Sequence, residues 1–158
     1  YFVVGHFHMM IGGVTLLGAF AAIYFWFPKM FGRTMNEALG KLHFWLTFAP
    51  FFTIFFMQHF LGLQGMPRRY YNYLDQFQPM HAMSTFGSWI LGLGLFVTLA
   101  YLLASLRKPM DAPDNPWGGT TLEWKCSSPP IMHNFEEDMV NERAPYDYRP
   151  LPVGAKHS

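Results

Sequence analysis

Two histidines lie two residues apart in a long apolar stretch near the start of the chain, within Gly5-His6-Phe7-His8-Met9-Met10. In an α-helix, residues two apart point about 200° away from each other. His6 and His8 would therefore face opposite flanks of one helix, and they could not bind one metal ion together, which needs the i, i+4 spacing. Each imidazole could instead hold a separate partner, and neutral imidazole is a common axial ligand of haem iron. The spacing thus favours two haems on either side of one helix, with the Phe7 ring between them.

The same histidine pair has two other interpretations. A histidine inside a membrane-spanning helix is often a hydrogen-bonded packing residue, or it belongs to a proton relay. The spacing of the pair, near one end of an apolar segment, favours ligation. On the residues alone all three interpretations stay open.

Two adjacent arginines, Arg68 and Arg69, follow Gly65-Met66-Pro67 on a connecting segment. Guanidinium groups pair bidentately with carboxylates, and haem carries two propionate carboxylates. We therefore expect the arginine pair to contact haem propionates. The alternative is that the pair only anchors the loop among lipid headgroups.

The other histidines and the lone cysteine carry weaker signals. His43, His59 and His81 have no ligand partner at a suitable spacing, so we expect them to form hydrogen bonds or to lie at the membrane interface. Cys126 is the single cysteine and cannot form a disulfide within the chain. We expect it to be an inert thiol.

Three segments without any Asp, Glu, Lys or Arg must position these groups. Each is longer than the about 20 residues that a helix needs to cross a bilayer core, and they cover residues 1–28, 42–67 and 76–106. Charged residues make up only 13% of the chain, about half the usual share in soluble domains. We predict an all-α membrane protein with three transmembrane helices, at about residues 1–28, 39–66 and 77–106. Three buried core helices of a soluble protein are the alternative.

Basic residues set the predicted orientation of these helices. The connecting segment after the first helix and the start of the tail carry most of the flanking positive charge: Lys29, Arg33, Lys41, Arg107 and Lys108 against Glu37. The middle loop carries Arg68 and Arg69 against Asp75. Because cytoplasmic loops carry an excess of Lys and Arg, we place the first loop and the tail inside. The histidine pair and the arginine pair then lie toward the outside.

Residues 107–158 hold most of the prolines and acidic groups, and we interpret them as a polar C-terminal tail on the inner surface. The formal net charge is +1, which gives no basic field of the kind that binds nucleic acid. The chain begins inside an apolar run. We therefore expect it to be an excerpt, a processed chain or one part of a divided polypeptide.

Longer motifs resemble subunit I of the haem–copper terminal oxidases. The resemblance covers roughly residues 1–137 and corresponds to the last three of the family's twelve core spans. Its motifs are Tyr1-Phe2-Val3-Val4-Gly5-His6-Phe7-His8, Gln58-His59-Phe60-Leu61-Gly62-Leu63-Gln64-Gly65-Met66-Pro67-Arg68-Arg69-Tyr70, Thr121-Leu122-Glu123-Trp124, Ser127-Ser128-Pro129-Pro130 and His133-Asn134-Phe135.

The resemblance implies a role for each candidate residue. It implies that His6 is the axial ligand of the high-spin haem, where oxygen is reduced. It implies that His8 is an axial ligand of the low-spin haem, which delivers electrons, and that Phe7 lies between the two haems. Arg68 and Arg69 match the pair that contacts the haem propionates.

The resemblance also implies a function. The chain would be the C-terminal part of the catalytic subunit of a cytochrome c oxidase, which reduces oxygen to water with four electrons and pumps protons. The implied cofactors are two haems of the a type and a copper beside the high-spin haem, whose ligands lie outside this chain. The implied partners are the N-terminal part of subunit I, a copper-containing subunit II, subunit III, cytochrome c and membrane lipid. The implied location is a bacterial inner membrane, with the mitochondrial inner membrane as the alternative.

Other functions stay open at this point. A quinol oxidase shares the fold, although residues 58–62 and 66–70 look more like the cytochrome c oxidases. A structural membrane subunit without a cofactor would tolerate loss of either histidine. A small transporter fragment would use His6 and His8 as proton carriers.

Overall fold

The computed structural model describes residues 1–136, 144 and 146–149. Three long helices dominate it: α1 (Phe2–Phe31), α2 (Glu37–Leu63) and α3 (Gln78–Ser105). No strand occurs among the described residues. The prediction of an all-α chain with three long apolar helices is confirmed. Of the predicted tail, residues 137–143, 145 and 150–158 lie outside the described part.

Each helix is long and apolar enough to cross a membrane. At about 1.5 Å per residue, the 27 residues of α2 span about 40 Å, against a hydrocarbon core of about 30 Å. The helix bounds differ from the expected 1–28, 39–66 and 77–106 by at most three residues at either end. The local causes of these differences lie in the residues that begin and end each helix.

Helix α1 continues past Pro28 to Phe31. A proline within a helix removes one backbone hydrogen bond, and its ring crowds the carbonyl group four residues earlier, but helices of a membrane bundle tolerate it. The helix ends at Gly32, whose φ of 61° is a left-handed conformation that glycine adopts without steric cost. Between the α-helical segments Phe2–Ile11 and Gly18–Phe31, the residues Gly12–Leu17 form a π-helical segment.

Helix α2 begins earlier than expected because Asn36 caps it. The Asn36 Oδ1 accepts a hydrogen bond from the Leu39 backbone nitrogen at 3.1 Å, which satisfies one of the free donors of the first turn. The helix passes through Pro50 without a break and ends at Leu63. Gly65, with a φ of 87°, then turns the chain into the middle loop.

The chain divides into two units, and α1 contributes to both. The first unit comprises Tyr1–Ala22 and Asn36–Ala104. Its helices approach closely at glycines. A Cβ atom added at Gly5 would lie 2.8 Å from the Phe55 carbonyl oxygen, and one added at Gly94 would lie 2.9 Å from the Leu46 carbonyl oxygen. Small residues thus let α2 pack against α1 on one side and α3 on the other.

The middle loop of the first unit closes over a small apolar cluster. Leu61, Met66 and Phe77 are almost fully buried in it, and Tyr73 packs against them. Because Met66 is buried, the segment that follows it directly is held at the end of α2. Arg68 and Arg69 lie on that segment.

The second unit comprises Ile23–Met35 and Ser105–Ser158. Lys29 is only 5% exposed, and its ammonium group donates to the carbonyl oxygens of Asp114, Cys126 and Ser127 at 2.9, 2.6 and 3.3 Å. An ammonium group has three donors, so this buried cation is satisfied by backbone oxygens alone. The tail residues of this unit are therefore tied to the last turns of α1.

Candidate functional site

The half-buried His8 has a fixed ring orientation. Its Nδ1 lies 2.8 Å from the Val4 carbonyl oxygen, one turn earlier in α1. A carbonyl oxygen only accepts hydrogen bonds, so Nδ1 carries a hydrogen, and Nε2 is the ring nitrogen left for another partner. Ligating histidines in metal sites are commonly held this way, through the ring nitrogen that does not bind the metal.

Two aromatic rings enclose the His8 imidazole. The Phe7 ring lies with its centroid 4.3 Å away at an interplanar angle of 28°. The Phe55 ring of α2 lies 4.6 Å away at 5°, which is nearly parallel. The imidazole of His8 therefore packs against α2 as well as its own helix.

His6 has a different environment. It is exposed, whereas its neighbour Gly5 is buried against α2. Within the described residues, His6 makes no hydrogen bond and no ring contact. The structure therefore does not bring His6 and His8 together around one point, and both nitrogens of His6 are available to a partner from outside this chain.

Phe7 is 37% exposed and stacks only on His8 among the described residues. It follows His6 directly on α1. The Phe7 ring therefore contacts His8 and still has an exposed surface, which a planar group could contact.

Arg68 and Arg69 are both exposed on the middle loop. The backbone of Arg69 is left-handed, with a φ of 64°, which is uncommon for a residue with a side chain. In the part of the chain that the structure describes, neither guanidinium group forms a hydrogen bond or an ion pair. Both are therefore free to bind carboxylates that this chain does not supply.

The remaining histidines of the helices have internal partners. His59 Nδ1 lies 2.9 Å from the Phe55 carbonyl oxygen, His81 Nε2 lies 3.1 Å from Met66 Sδ, and the buried His43 meets the Phe20 ring edge to face. Among the described residues, no three His, Cys, Asp or Glu side chains come together as a metal site. A single imidazole can ligate haem iron from one face, so ligation by His6 or by His8 would not require such a cluster.

Sequence reasoning missed Phe55. The chain has 17 phenylalanines, and none of the spacing arguments singles this one out. The available signal is indirect, since Phe55 lies four residues before His59 and so shares a helix face with it. Only the packing of α1 against α2 shows that this ring meets His8.

Comparison with known proteins identifies the chain's relatives. A family model described as cytochrome c and quinol oxidase polypeptide I matches residues 1–90. Cytochrome c oxidase subunit 1 of Thermostichus vulcanus is 46% identical over 148 residues, which is 94% of this chain and 27% of that protein. The subunit 1 of Synechocystis sp. gives the same identity and coverage. That of Corynebacterium efficiens is 47% identical over 85% of this chain and 24% of its own length.

The sequence identity extends over most of this chain but over only part of each relative. The chain spans about a quarter of the length of the curated relatives it matches. The histidine pair and the arginine pair both lie within the residues that the family model matches.

Proposed function

The chain belongs to the cytochrome c and quinol oxidase polypeptide I family, and from this premise we propose that it is the C-terminal part of the catalytic subunit of a cytochrome c oxidase. The three relatives described above are all named as subunit 1 of cytochrome c oxidase. We therefore take cytochrome c, and not a quinol, as the electron donor of the assembled enzyme.

One observation carries the proposed cofactor site. The hydrogen bond from His8 Nδ1 to the Val4 carbonyl oxygen occupies one ring nitrogen and leaves Nε2 as the nitrogen that can bind iron. Histidine binds metals through one ring nitrogen while the other donates a hydrogen bond, often to a backbone carbonyl oxygen. We propose that His8 Nε2 holds the low-spin haem, and that His6 holds the high-spin haem on the other flank of α1.

The residues of this chain have distinct tasks in that arrangement. His8 would hold a haem that supplies electron transfer, and His6 would hold a haem that, with copper ligated by residues outside this chain, would supply the reduction of oxygen to water. The α1 backbone between His6 and His8 fixes the separation of the two imidazoles. We propose that Phe7 lies between the two haems. Arg68 and Arg69 donate hydrogen bonds to the propionates and offset their charge.

The assembly that this function needs extends beyond the chain. We propose that the N-terminal part of subunit I, a copper-containing subunit II and subunit III complete the enzyme, and that the complex couples oxygen reduction to proton pumping. The three apolar helices support a multi-pass membrane location. We assign the chain to the bacterial inner membrane because the relatives described above come from bacteria.

The test is a reduced-minus-oxidised visible spectrum, with and without carbon monoxide, of the membrane complex purified through a tag on this chain. We expect two haem populations, of which only one binds carbon monoxide, because a six-coordinate haem has no open position. The band positions identify the haem type. A colourless complex would contradict the proposal and would favour a structural membrane subunit.

A further inference from the structure

We infer that Phe55 is a positioning residue that sets the plane of the His8 imidazole, and through it the electronic state of the low-spin haem. This inference rests on the proposed function, in which His8 is a haem ligand. Phe55 lies on α2 and would act on the haem only through its contact with His8.

The evidence is a two-point restraint on one ring. The hydrogen bond from Nδ1 to the Val4 carbonyl oxygen, at 2.8 Å, fixes one edge of the His8 imidazole. The Phe55 ring, at 4.6 Å and 5° from parallel, fixes its face. A single hydrogen bond still permits the ring to rock about the bonded edge, whereas a flat surface against the face restricts that motion. Together the two contacts define the plane.

Another ring of α2, that of Phe51, packs against Phe55. The ring of Phe51 meets it at 4.8 Å and 63°, and Phe51 is only 5% exposed. Phe51 in turn packs against α1 at Gly12, where an added Cβ would come within 2.8 Å of the Phe51 ring. A continuous packed path therefore runs from Gly12 through Phe51 and Phe55 to His8.

The backbone of Phe55 is fixed as well as its side chain. Its carbonyl oxygen is bonded to His59 Nδ1 at 2.9 Å and lies where a side chain at Gly5 would be. The close approach of the Phe55 backbone to Gly5 therefore determines the separation between α2 and α1 near His8. Phe55 cannot be displaced along the helix without breaking these contacts.

The imidazole plane matters because it determines which iron d orbitals the ligand can overlap. In a low-spin ferric haem, the orientation of an axial imidazole plane contributes to the splitting of those orbitals, and hence to the g values in electron paramagnetic resonance. Outer contacts that orient a ligand therefore tune the metal without touching it. Phe7 is a weaker candidate for this role because its ring is tilted by 28°.

The experiment compares Phe55→Leu with Phe55→Tyr in the complete purified oxidase complex. Leucine keeps an apolar contact but removes the flat face, whereas tyrosine keeps the ring. We expect Phe55→Leu to shift or broaden the largest g value of the low-spin ferric haem and to change its midpoint potential. We expect Phe55→Tyr to reproduce the unmodified enzyme in both measurements.

The control is Phe56→Leu, because Phe56 is the adjacent residue of α2, is 41% exposed, and stacks on Phe52 at 5.1 Å, not on His8. It should leave the g values unchanged. Unchanged g values and potential in Phe55→Leu would overturn the inference. So would failure of Phe55→Leu, and of a second ring-free variant, Phe55→Met, to assemble while Phe56→Leu assembles, because Phe55 would then serve helix packing.

These outcomes are separate from failure of the proposed function. If the unmodified complex has no low-spin haem signal, the assignment of His8 as a ligand is wrong. If that signal is present and does not respond to loss of the Phe55 ring, His8 can still be a ligand, and only the positioning role is wrong.

Discussion

At the scale of single residues, the two histidines of α1 differ in how much of their environment this chain supplies. The imidazole of His8 is hydrogen-bonded to the Val4 carbonyl oxygen and stacks on the rings of Phe7 and Phe55. His6 is exposed and lacks such contacts within the described residues. We expect loss of each imidazole to affect a different haem.

The first prediction is that His8→Ala removes the low-spin haem signal, whereas His6→Ala removes the carbon-monoxide-binding haem and oxygen reduction but keeps the low-spin haem. The reason is that each iron loses a different axial ligand. Visible spectra with and without carbon monoxide, together with oxygen consumption, measure both effects. His133→Ala, at an exposed tail position, is the control. Unchanged spectra and turnover in both variants would refute the assignment.

The second prediction concerns the charge of Arg68. Arg68→Leu removes a cation that would lie beside the propionates, and a nearby cation favours the reduced haem. We expect the haem midpoint potential to fall by about 10–40 mV, which corresponds to the ~0.2–1 kcal/mol of an exposed ion pair. Oxygen reduction should slow but persist.

Redox titration of the purified complex measures this shift. The matched control is Arg107→Leu, since Arg107 is also exposed but lies after α3. An equal fall in potential in both variants would mean that Arg68 has no specific place beside the haem.

At the scale of elements, charge-free runs were enough to predict the three helices. The exact ends of the helices depend on local features, such as the Asn36 N-cap and the left-handed backbone conformation of Gly32. The π-helical segment Gly12–Leu17 has no periodicity that distinguishes it from an α-helix. Because Phe2–Ile11 is a regular α-helix, His6 and His8, two residues apart, project from opposite flanks of it. The ring contacts of His8 lay beyond sequence reasoning because they depend on how α2 packs against α1.

The third prediction tests that packing with two glycines of α3. Gly94→Ala places a Cβ 2.9 Å from the Leu46 carbonyl oxygen of α2, a backbone atom that cannot move alone. We expect a cost of about 1–3 kcal/mol, seen as a lower apparent unfolding temperature of the complex. Gly92→Ala meets nothing within 4 Å in this chain. It should be neutral or stabilising by about 0.5–1 kcal/mol, because alanine is the better helix former.

Comparing the two variants also distinguishes the effect of helix packing from that of helix propensity. If both lowered the unfolding temperature equally, the close approach of α3 to Leu46 would not be the cause. A higher unfolding temperature in Gly94→Ala than in Gly92→Ala would contradict the packing of α2 against α3 described above.

At the scale of the whole molecule, the chain supplies only part of a functional centre. It spans about a quarter of its relatives, and the copper ligands of the proposed enzyme lie outside it. Large apolar side chains remain exposed along α3, including Trp89 and Phe96, both 69% exposed. Such a surface fits a helix that meets lipid or other helices of the bundle. The function therefore has to be tested in the complete complex.

The orientation in the membrane is the whole-molecule property that the sequence predicts and that a single labelling experiment can decide. In a Cys126→Ser background, Tyr71→Cys and Met132→Cys introduce thiols at positions that are 105% and 94% exposed. Because the positive-inside rule places the middle loop outside and the tail inside, a membrane-impermeant maleimide should label position 71 in intact spheroplasts. Position 132 should react only after permeabilisation. The background variant, which retains no thiol among these 158 residues, controls for labelling of the rest of the complex. The opposite pattern would invert the topology and would place His6 and His8 at the inner end of α1.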